Sequence, residues 1–410
     1  MDNDFTVEML AEYDAAGLER EWRALEQRSR ASVFQSWAWI GCWLASLPQD
    51  IHPVLIRVSR GLEILALGIV CRAHVRGTFV TARALLLNET GDAKLDCVTI
   101  EHNGLLCDPA MAGQVVERVA LALQKRSDWD EWVLSGVDRS IAKAHYEDIA
   151  TRLGWIVHAF GERPWYVVQL NQLRGGGNDQ LGWLSVNTRY QVRRALKEYG
   201  KRGDVKIEIA RSAEEALVFF ERLKGLHQHY WHARGKPGAF GPEFFEIFHR
   251  RLIEQEWPRG GVHLLRVSAG EHEIGYLYNL VYGQTIYSYQ SGFNYEHDAK
   301  IKPGLVSHVL AIQRATADGF GFYDLLAGDA QYKRSLATHS ETMRWIRLRR
   351  PRLAFRLEAL VRRIRDRSRE DGRDGTESRQ TVKCNVFSRS SVAEQSSLPA
   401  LADHETDKVA

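Results

Sequence analysis

The sequence contains few cysteines and no long run of apolar residues. Its five cysteines, Cys42, Cys71, Cys97, Cys107 and Cys384, are scattered over 410 residues without a C-x-x-C pair. This spacing indicates neither a disulfide framework nor a zinc site, so we expect reduced thiols that lie mostly in the core. No stretch reaches the length that a membrane-spanning helix needs.

The chain also lacks an excess of charge of either sign. It has 55 basic and 52 acidic side chains, a net charge of +3, which argues against nucleic acid as a partner. The first residues, Met1 to Asp4, are acidic and do not form a secretory signal, so we expect a cytoplasmic protein. At 410 residues, 44% of them hydrophobic, the chain is long enough for two domains with cores of their own.

Residues 285–333 carry the most informative pattern. A period of two predicts a strand here, with Ile286, Ser288 and Gln290 on one face and Tyr287, Tyr289 and Ser291 on the other. After the segment 294–300, apolar residues recur at helical spacing from Leu305 to Ala315, until Asp318 and Gly319 end the run. The sequence therefore predicts a strand, an irregular segment and a helix.

The predicted helix begins at a Lys-Pro-Gly turn. The first N–H groups of a helix have no internal partner and lie at the positive end of its dipole, which suits a phosphate or pyrophosphate group. We therefore predict a donor-binding turn made of Lys300, Lys302, Pro303 and Gly304. The open alternative is an ordinary turn, since Pro-Gly before a helix is a common signal.

A second short strand, predicted over 320–326, places a polar group at its carboxyl end. Gly328, Asp329, Tyr332 and Lys333 follow it directly. Ligands of open α/β sheets bind at the carboxyl ends of strands, so these residues are candidates for a site. Alternatively, Gly328 and Asp329 form a turn and a helix cap.

The first half of the chain repeats the order of elements of the second. Residues 129–138 (WDEWVLSGVD) and 320–329 (FGFYDLLAGD) occupy matching places. We predict an N-terminal domain over 1–172, a Gly-rich linker over 173–180 and a C-terminal domain over 181–350. Where the second copy has its Lys-Pro-Gly turn, the first has Cys107-Asp108-Pro109, whose carboxylate would repel a phosphate. The first copy is therefore expected to be degenerate and the second to carry the site.

A basic amphipathic helix is predicted over 351–370, before a disordered tail over 371–410. From Arg347 to Arg369 ten arginines stand against two acidic residues, with Leu353, Leu357 and Val361 at helical spacing. Residues 351–369 thus suit an anionic membrane surface or a partner such as a synthase. Packing of the helix on its own domain is the open alternative.

Residues 185–335 resemble the CelD/BioF-like acetyltransferase domain, a GNAT-fold family of cellulose and exopolysaccharide biosynthesis proteins. The resemblance rests on the basic helix 189–194, the segment 231–235 (WHARG), Tyr289 with Gly292, the Lys-Pro-Gly turn, Asp324, Gly328-Asp329 and Tyr332-Lys333, and on the opening FQSWAW at 34–39. One departure concerns the Q/R-x-x-G-x-G/A loop of typical GNAT enzymes, because 300–305 (KIKPGL) has a single glycine. Fem-type peptidyltransferases share the fold.

The resemblance implies an α/β (α+β) fold of tandem GNAT-like domains, each a mixed, mainly antiparallel sheet flanked by helices. It implies transfer of an acyl group from acetyl-CoA or another acyl-CoA to an amine or hydroxyl of a sugar or polysaccharide precursor, without a metal. Two alternatives are aminoacyl-tRNA-dependent peptidyl transfer and a non-catalytic scaffold of a polysaccharide synthase that contacts the inner membrane face.

Acyl transfer requires a base, a donor to the developing oxyanion and an acid for the thiolate. Asp329 is the predicted base or orienting carboxylate, and Tyr332 or Tyr289 the proton donor, because a phenol with a pKa of about 10 matches a thiolate. Backbone N–H groups near 289–291 would meet the oxyanion, and Lys333 would bind phosphate. The predicted acceptor contacts are Arg189, Arg193, Trp231, Arg234 and Asp324.

A metal site was also considered in the histidine-rich segment of the second half. His229 and His232 stand three residues apart, near His227. No carboxylate or cysteine falls at a matching step nearby, so we expect no metal here.

Overall fold

The computed structural model describes residues 5–76, 80–174, 181–298, 300–358 and 361. These form two compact units, each discontinuous in sequence. Unit 1 holds 5–163, Pro242–Glu256 and the described residues from Glu341 onward, and unit 2 holds Pro164–Gly241 and Trp257–Ser340. The predicted linker 173–180, the helix 351–370 and the tail 371–410 lie largely or wholly outside the described residues. The domain limits drawn from the sequence stay a prediction.

Unit 1 is a mixed, mainly antiparallel sheet flanked by helices. Its strands are β1 Phe5–Leu10, β2 Val54–Arg60, β3 Glu63–Arg76, β4 Thr81–Leu87, β5 Leu106–Cys107, β6 Glu131–Asp138, the first part of β7 Ile156–Gln169 and most of β13 His339–Arg349. Its helices are α1 Ala15–Glu26, α2 Trp37–Ser46, α3 Ala112–Gln124, α4 Arg139–Ile141, α5 Asp148–Arg152 and α9 Glu243–Glu256, with 3-10 turns at Val33–Gln35 and Pro109–Met111 and a π-helical turn at Ala142–Glu147.

Unit 2 has the same kind of sheet. Its strands are the second part of β7, β8 Val205–Ile209, β9 Val262–Ala269, β10 His272–Tyr282, β11 Thr285–Phe293 and β12 Phe322–Ala327. Its helices are α6 Leu170–Arg174, α7 Val186–Gly200, α8 Ala213–His232, α10 Pro303–Ala317 and α11 Gln331–Leu336, with a 3-10 turn at Trp257–Arg259. β8 to β11 form an antiparallel meander, β12 adds parallel to β11, and β7 adds antiparallel to β12.

The predicted internal repeat is confirmed by the topology of the two units. In unit 1 the antiparallel strands β1 to β4 lead through α3 to β6, which pairs parallel with β4 from Ala84–Glu131 to Leu86–Val133. In unit 2 the meander leads through α10 to β12, parallel to β11 over three residue pairs. The predicted fold class is therefore confirmed.

Helix α10 begins and ends where the sequence predicts. Pro303 is its first residue, where a fixed φ and a missing N–H cost nothing, and Gly319 follows its end with a φ of +91°. Its apolar stripe, including Val309 and Ile312, packs in one core cluster with Leu277 of β10. Burial of this stripe fixes α10 on the sheet of unit 2.

One prediction about local structure is wrong. The sequence predicts two short strands, near 155–160 and 164–170, whereas the structure has the single strand β7 over this range. Pro164 does not break it, because an extended backbone suits the φ of proline and only its N–H is missing. Its carbonyl still accepts the Gly328 N–H at 2.9 Å.

Candidate functional site

Strands β11 and β12 of unit 2 run together only briefly. They pair from Thr285–Phe322 to Tyr287–Asp324, whereas β11 continues to Phe293 and β12 to Ala327. A β-bulge in the pairing with β10 follows, because the register shifts by one residue at Tyr289. This bulge interrupts the predicted alternation of side chains along β11. Beyond Tyr287 the two strands diverge, and this divergence is the centre of the candidate site.

Asp324 shapes the β12 side of the divergence. Its buried carboxylate accepts the Leu326 N–H at 2.7 Å, and Leu326 has a φ of +63°. A branched residue rarely adopts this conformation without support. The carboxylate therefore stabilises the irregular end of β12, and the predicted contact of Asp324 with an acceptor stays a prediction.

Helix α8 supports the β11 side of the divergence. Gly292 lies so close to α8 that a Cβ there would collide with the Leu223 carbonyl oxygen. His227 of α8 has its Nδ1 3.1 Å from the Ser291 carbonyl oxygen, while its Nε2 accepts the Ala239 N–H at 3.1 Å. Nδ1 therefore carries the proton of a neutral ring, and burial lowers the pKa of His227 to about 4.

The predicted oxyanion donors lie in this part of β11. The Ser291 N–H donates to the side-chain oxygen of the neighbouring Gln290 at 3.0 Å. Tyr289, at the bulge, has its ring 5.9 Å from that of Tyr278. A ligand oxygen at Ser291 would have to take the place of the Gln290 amide, and the oxyanion role stays a prediction.

The first turn of α10 lies next to the end of β11. A Cβ on Gly304 would be 3.1 Å from the Phe293 ring, so that ring covers one side of the turn. Lys302 is half-buried at the N-cap, and no side chain of the described residues caps the helix. Lys300 is exposed, and its N–H donates to Asp298 at 2.8 Å. The predicted donor-binding residues therefore lie together at one end of β11.

An ion pair fixes the segment between β11 and this turn. The two terminal N–H groups of Arg202 donate hydrogen bonds to the two carboxylate oxygens of Glu296, at 2.6 and 2.7 Å. Such a two-point contact orients both groups. It holds the chain between Phe293 and Lys300 against the end of α7.

A continuous row of aromatic rings runs through the site. From α8 to α11, this aromatic row is Tyr230, Tyr295, Phe293, His308 and Tyr332. Successive centroids are 4.5, 6.1, 5.8 and 4.8 Å apart. The Arg234 guanidinium lies 3.6 Å above the Tyr230 ring at one end. The row thus joins an exposed cation to Tyr332, a predicted proton donor.

His308 was missed by the sequence analysis. It lies in the second turn of α10, 2% exposed, with its ring stacked on Tyr332 at an interplanar angle of 14°. Burial, and then the charge of Lys333, lower the pKa of His308 to about 3. One histidine within an apolar helix stripe gave no signal in the sequence.

Lys333 has a different environment from the one predicted. Its side chain is 2% exposed, and its Nζ donates to the Ala327 carbonyl oxygen at 2.6 Å and to that of Leu326 at 3.4 Å. These bonds tie α11 to the end of β12. They favour a structural role, and phosphate binding by Lys333 stays a prediction.

Asp329 is an exposed carboxylate held by two donors. Its side chain is 62% exposed, and its Oδ1 accepts the Tyr166 hydroxyl at 3.1 Å and the Arg334 guanidinium. Burial and the nearby carboxylate raise the pKa of Tyr166. Asp329 is therefore oriented, and accessible to a substrate.

The predicted acceptor residues differ in accessibility. Arg234 is exposed and donates to the Tyr230 carbonyl at 3.0 Å, but Trp231 is 4% exposed and belongs to the core. Arg193 is exposed on α7, while Arg189 is half-buried and donates to the Leu184 carbonyl at 3.3 Å. Of these residues, Arg234 lies beside the aromatic row.

The described residues contain neither a metal-binding group nor a membrane-spanning helix. Among the described residues, no three His, Cys, Asp or Glu side chains are grouped so that they could hold a metal ion. Within the same residues, no helix combines the length and the apolar character needed to cross a bilayer.

Comparison with known proteins finds a family to which part of unit 2 is similar. Residues 186–334 match the family model of the acetyltransferase (GNAT) domain. The match runs from the start of α7 to α11 and includes the divergence of β11 and β12. Within unit 2, this segment is therefore similar to a GNAT acetyltransferase domain.

Solved structures extend the likeness over most of the chain. FemX is 12% identical, with a TM-score of 0.53 over 82% of this chain and 96% of that one. L-PGS from Bacillus licheniformis (12% identical, TM-score 0.48, 84% and 96% covered) and a tandem GNAT protein of the clavulanic acid pathway (10%, 0.44, 85% and 99%) are also similar. At these identities the likeness concerns the fold. No curated protein sequence matches significantly.

Proposed function

We propose that unit 2 moves an acyl group from acetyl-CoA or another acyl-CoA to an amine or hydroxyl of a sugar or polysaccharide precursor. The observation that carries the proposal is the divergence of β11 and β12 beside the first turn of α10. The acyl donor, the acceptor and the predicted proton donor Tyr332 can meet there. Ring contacts of His308 with Phe293 and with Tyr332 connect β11, α10 and α11. The CelD/BioF-like resemblance supports cellulose or exopolysaccharide biosynthesis as the setting.

The donor's phosphates would be held at the α10 turn. The N–H groups of Gly304 and Leu305 belong to the first turn of α10, where the N-cap residue Lys302 forms no side-chain capping bond, and Lys300 and Lys302 add positive charge. The coenzyme A thioester supplies an activated acyl carbon. Four of the five predicted donor-binding residues, Lys300, Lys302, Pro303 and Gly304, belong to this turn, and the fifth, Lys333, lies on α11.

Tyr332 suits the role of proton donor. In the reaction the acceptor nitrogen or oxygen bonds to the acyl carbon and releases one proton to water, while the carbon–sulfur bond breaks. The leaving thiolate takes a proton from Tyr332, which regains one from water. Burial, and then Tyr323, raise the pKa of Tyr332, so its hydroxyl keeps its proton at neutral pH but is a weaker acid than the phenol with a pKa of about 10 that would match a thiolate. Asp329, held by Tyr166 and Arg334, would orient the acceptor rather than act as a strong base.

The acceptor would approach along the exposed end of the aromatic row. Tyr295 is 39% exposed and offers a ring on which the apolar face of a sugar can pack. Arg234, which lies over the Tyr230 ring, offers a guanidinium to a carboxylate or phosphate. An acceptor with a sugar ring and one negative charge fits this surface. Trp231 lies beneath Tyr230, with ring centroids 5.3 Å apart, and would act through packing.

We also propose that the protein works in the cytoplasm and contacts the inner membrane face through residues 351–369. Of these, 351–358 and 361 are described. Phe355 and Glu358 are buried, whereas Leu353, Leu357 and Val361 are exposed. The buried Glu358 is paired with Arg349 at 2.9 Å, so its charge would not repel an anionic surface.

Aminoacyl-tRNA-dependent peptidyl transfer is the second candidate. The observation in its favour is the likeness of fold to FemX across both units. A binding surface for tRNA would make activity fall steeply with salt, because bound counterions are released. With a small thioester donor, activity would fall only slightly as the salt concentration rises.

A donor assay distinguishes the candidates. The purified full chain is incubated with acetyl-CoA and with a neutral hexosamine, a uronic acid or a sugar nucleotide, and free thiol is measured. We expect acceptor-dependent thiol release that is strongest with an anionic acceptor. Turnover with aminoacyl-tRNA alone, falling steeply with salt, would establish peptidyl transfer instead. Absence of turnover with every donor would leave the scaffold role.

A further inference from the structure

His308 is a buried polar group whose hydrogen-bonding capacity is unused. It is 2% exposed, and neither Nδ1 nor Nε2 has a hydrogen-bond partner among the described residues. Buried polar groups are nearly always hydrogen-bonded, since desolvation without a partner costs free energy. A ring in this state therefore points to a partner outside the chain.

His227 shows what a structural histidine looks like in the same unit. It is also buried, but its Nδ1 lies 3.1 Å from the Ser291 carbonyl oxygen and its Nε2 accepts the Ala239 N–H. Both ring nitrogens serve to connect α8, β11 and the segment after α8. His308 makes no comparable connection within the described residues.

The packing around His308 fixes its ring within the proposed active site. Tyr332 stacks on it with centroids 4.8 Å apart, and Phe293 contacts it with its ring at 71°. The nitrogens lie at the ring edge, which a stacked neighbour does not cover. The ring is held rigidly between the end of β11 and the predicted proton donor on α11.

The charge state of His308 limits the ligand chemistry. Burial, together with Lys333, keeps the ring neutral at physiological pH. A neutral imidazole has one N–H donor and one acceptor nitrogen. An anionic group could use the donor alone, whereas a secondary amide has both a donor and an acceptor and can match either edge nitrogen. The arm of a coenzyme A thioester contains such amides.

We propose that His308 is a binding residue for the acyl donor, with its imidazole hydrogen-bonded to an amide of the thioester arm. The inference rests on the proposed function and specifies which part of the donor lies beside Tyr332. His308 would thereby anchor the arm of the thioester beside Tyr332. It is a donor-binding residue and takes no part in proton transfer.

Substitution by phenylalanine separates a binding role from a structural one. His308→Phe keeps an aromatic ring against Tyr332 but removes both nitrogens. His308→Leu also removes both nitrogens and serves as a second variant if the larger phenylalanine ring does not fit. Loss of an unsatisfied polar group should leave the melting temperature of the free protein unchanged or raise it. His227→Phe is the matched control, and it should lower the melting temperature because two hydrogen bonds disappear.

Calorimetry with acetyl-CoA and with acetyl-pantetheine measures the effect on the donor. We expect both Kd values to rise by roughly tenfold in the His308 variants, in line with the loss of one hydrogen bond. In the assay, KM for the donor should rise by the same factor with kcat little changed. Acetyl-pantetheine has the thioester arm but lacks the nucleotide of acetyl-CoA. If the Kd rises by the same factor for both donors, His308 contacts the arm rather than the nucleotide.

The outcomes separate this inference from the proposed function. If the wild type binds acetyl-CoA and the His308 variants bind it equally well, the inference is wrong and the function stands. A lower melting temperature in both His308 variants, with an unchanged Kd, would make His308 structural. A wild type that binds neither thioester overturns both.

Discussion

The imidazole of His308 and the phenol ring of Tyr332 lie nearly parallel, with centroids 4.8 Å apart and 14° between their planes. This stack joins α10 to α11 inside unit 2. Because the His308 ring is fixed by burial, the orientation of Tyr332 is set by its neighbour rather than by its own backbone alone. The position of the Tyr332 hydroxyl therefore depends on ring packing.

Replacement of Tyr332 by phenylalanine should remove acid catalysis and keep the stack. We expect kcat to fall by about 10²- to 10⁴-fold, the usual contribution of a positioned acid. Thiol release and a thermal melt check this together. Because burial raises the pKa of Tyr332, the wild-type rate should show no loss from Tyr332 ionisation between pH 7 and pH 9. Near-normal turnover in Tyr332→Phe would remove this residue from the chemistry.

Asp329→Asn tests the exposed carboxylate at the end of β12. We expect kcat to fall by about 100-fold, because the neutral amide no longer orients the acceptor through its charge. Stability should change by less than about 1 kcal/mol, since exposed ion pairs contribute little. Arg334→Gln is the control, because it removes the partner of Asp329 but keeps the carboxylate. A large loss of stability in Asp329→Asn would show that Asp329 is a structural cap.

Gly292→Ala tests the close contact between β11 and α8. The added methyl group would collide with the Leu223 carbonyl oxygen, a backbone atom that cannot rotate away. We expect a loss of about 1–3 kcal/mol in the free energy of unfolding, and lower activity as β11 shifts. Gly225→Ala in α8 is the control, because its methyl group meets nothing within 4 Å. The free energy of unfolding of Gly225→Ala should rise by about 0.5–1 kcal/mol. Equal changes in the two variants would show that Gly292 is not in close contact with α8.

Stability should depend on pH through the buried histidines. Three of them, His227, His249 and His308, together with the half-buried His263, have folded-state pKa values lowered by removal from water. The unfolded chain, with pKa values near 6.5, then binds more protons below that pH, so stability is complete above about pH 7 and falls as the pH falls. Each group contributes a slope of up to about 1.4 kcal/mol per pH unit.

Urea unfolding at pH 7, 6 and 5 measures this slope. For His308 the window extends from the unfolded value near 6.5 down to about 3. His308→Phe should therefore reduce the slope between pH 6 and pH 5 by about one histidine's share. An unchanged slope would mean that His308 is not held neutral.

Vesicle binding tests the exposed side chains at the start of the basic segment. Leu353 and Leu357 are 78% and 56% exposed, beside the Arg-rich sequence that follows. The full chain should co-sediment with phosphatidylglycerol vesicles but not with phosphatidylcholine vesicles, and Leu353→Glu with Leu357→Glu should weaken binding by about tenfold or more. Leu62→Glu, at a fully exposed turn, is the control. Equal binding by all variants would exclude this surface.

The sequence predicts those parts of unit 2 whose local pattern agrees with their environment. Strand β11, helix α10 and the order of the repeat follow from periodicity and from the signals at Pro303 and Gly319. The bulge at Tyr289 does not, because it depends on pairing with β10. The lesson is that local patterns predict elements but not the irregularities that tertiary contacts impose.

Side-chain environments were harder to predict than elements. Lys333 and Asp324 are polar residues at the carboxyl end of a strand, and the sequence gives no sign that both are buried against backbone groups. Trp231 suggests a stacking platform but lies in the core, while His308 was hidden in an apolar stripe. Accessibility depends on neighbours that are distant in sequence.

The place of β13 in unit 1 governs when that unit can be completed during synthesis. Its residues pair antiparallel with β6, from Met343–Asp138 to Arg349–Glu131, and Arg349 forms buried ion pairs with Glu131 and Glu358. A ribosome that has made β6 must add roughly 200 further residues before this partner exists, which takes about 10–40 s. Throughout that interval one edge of β6 and the Glu131 carboxylate lack their native partner, and the nascent chain becomes a natural client for chaperones that shield unfinished sheets.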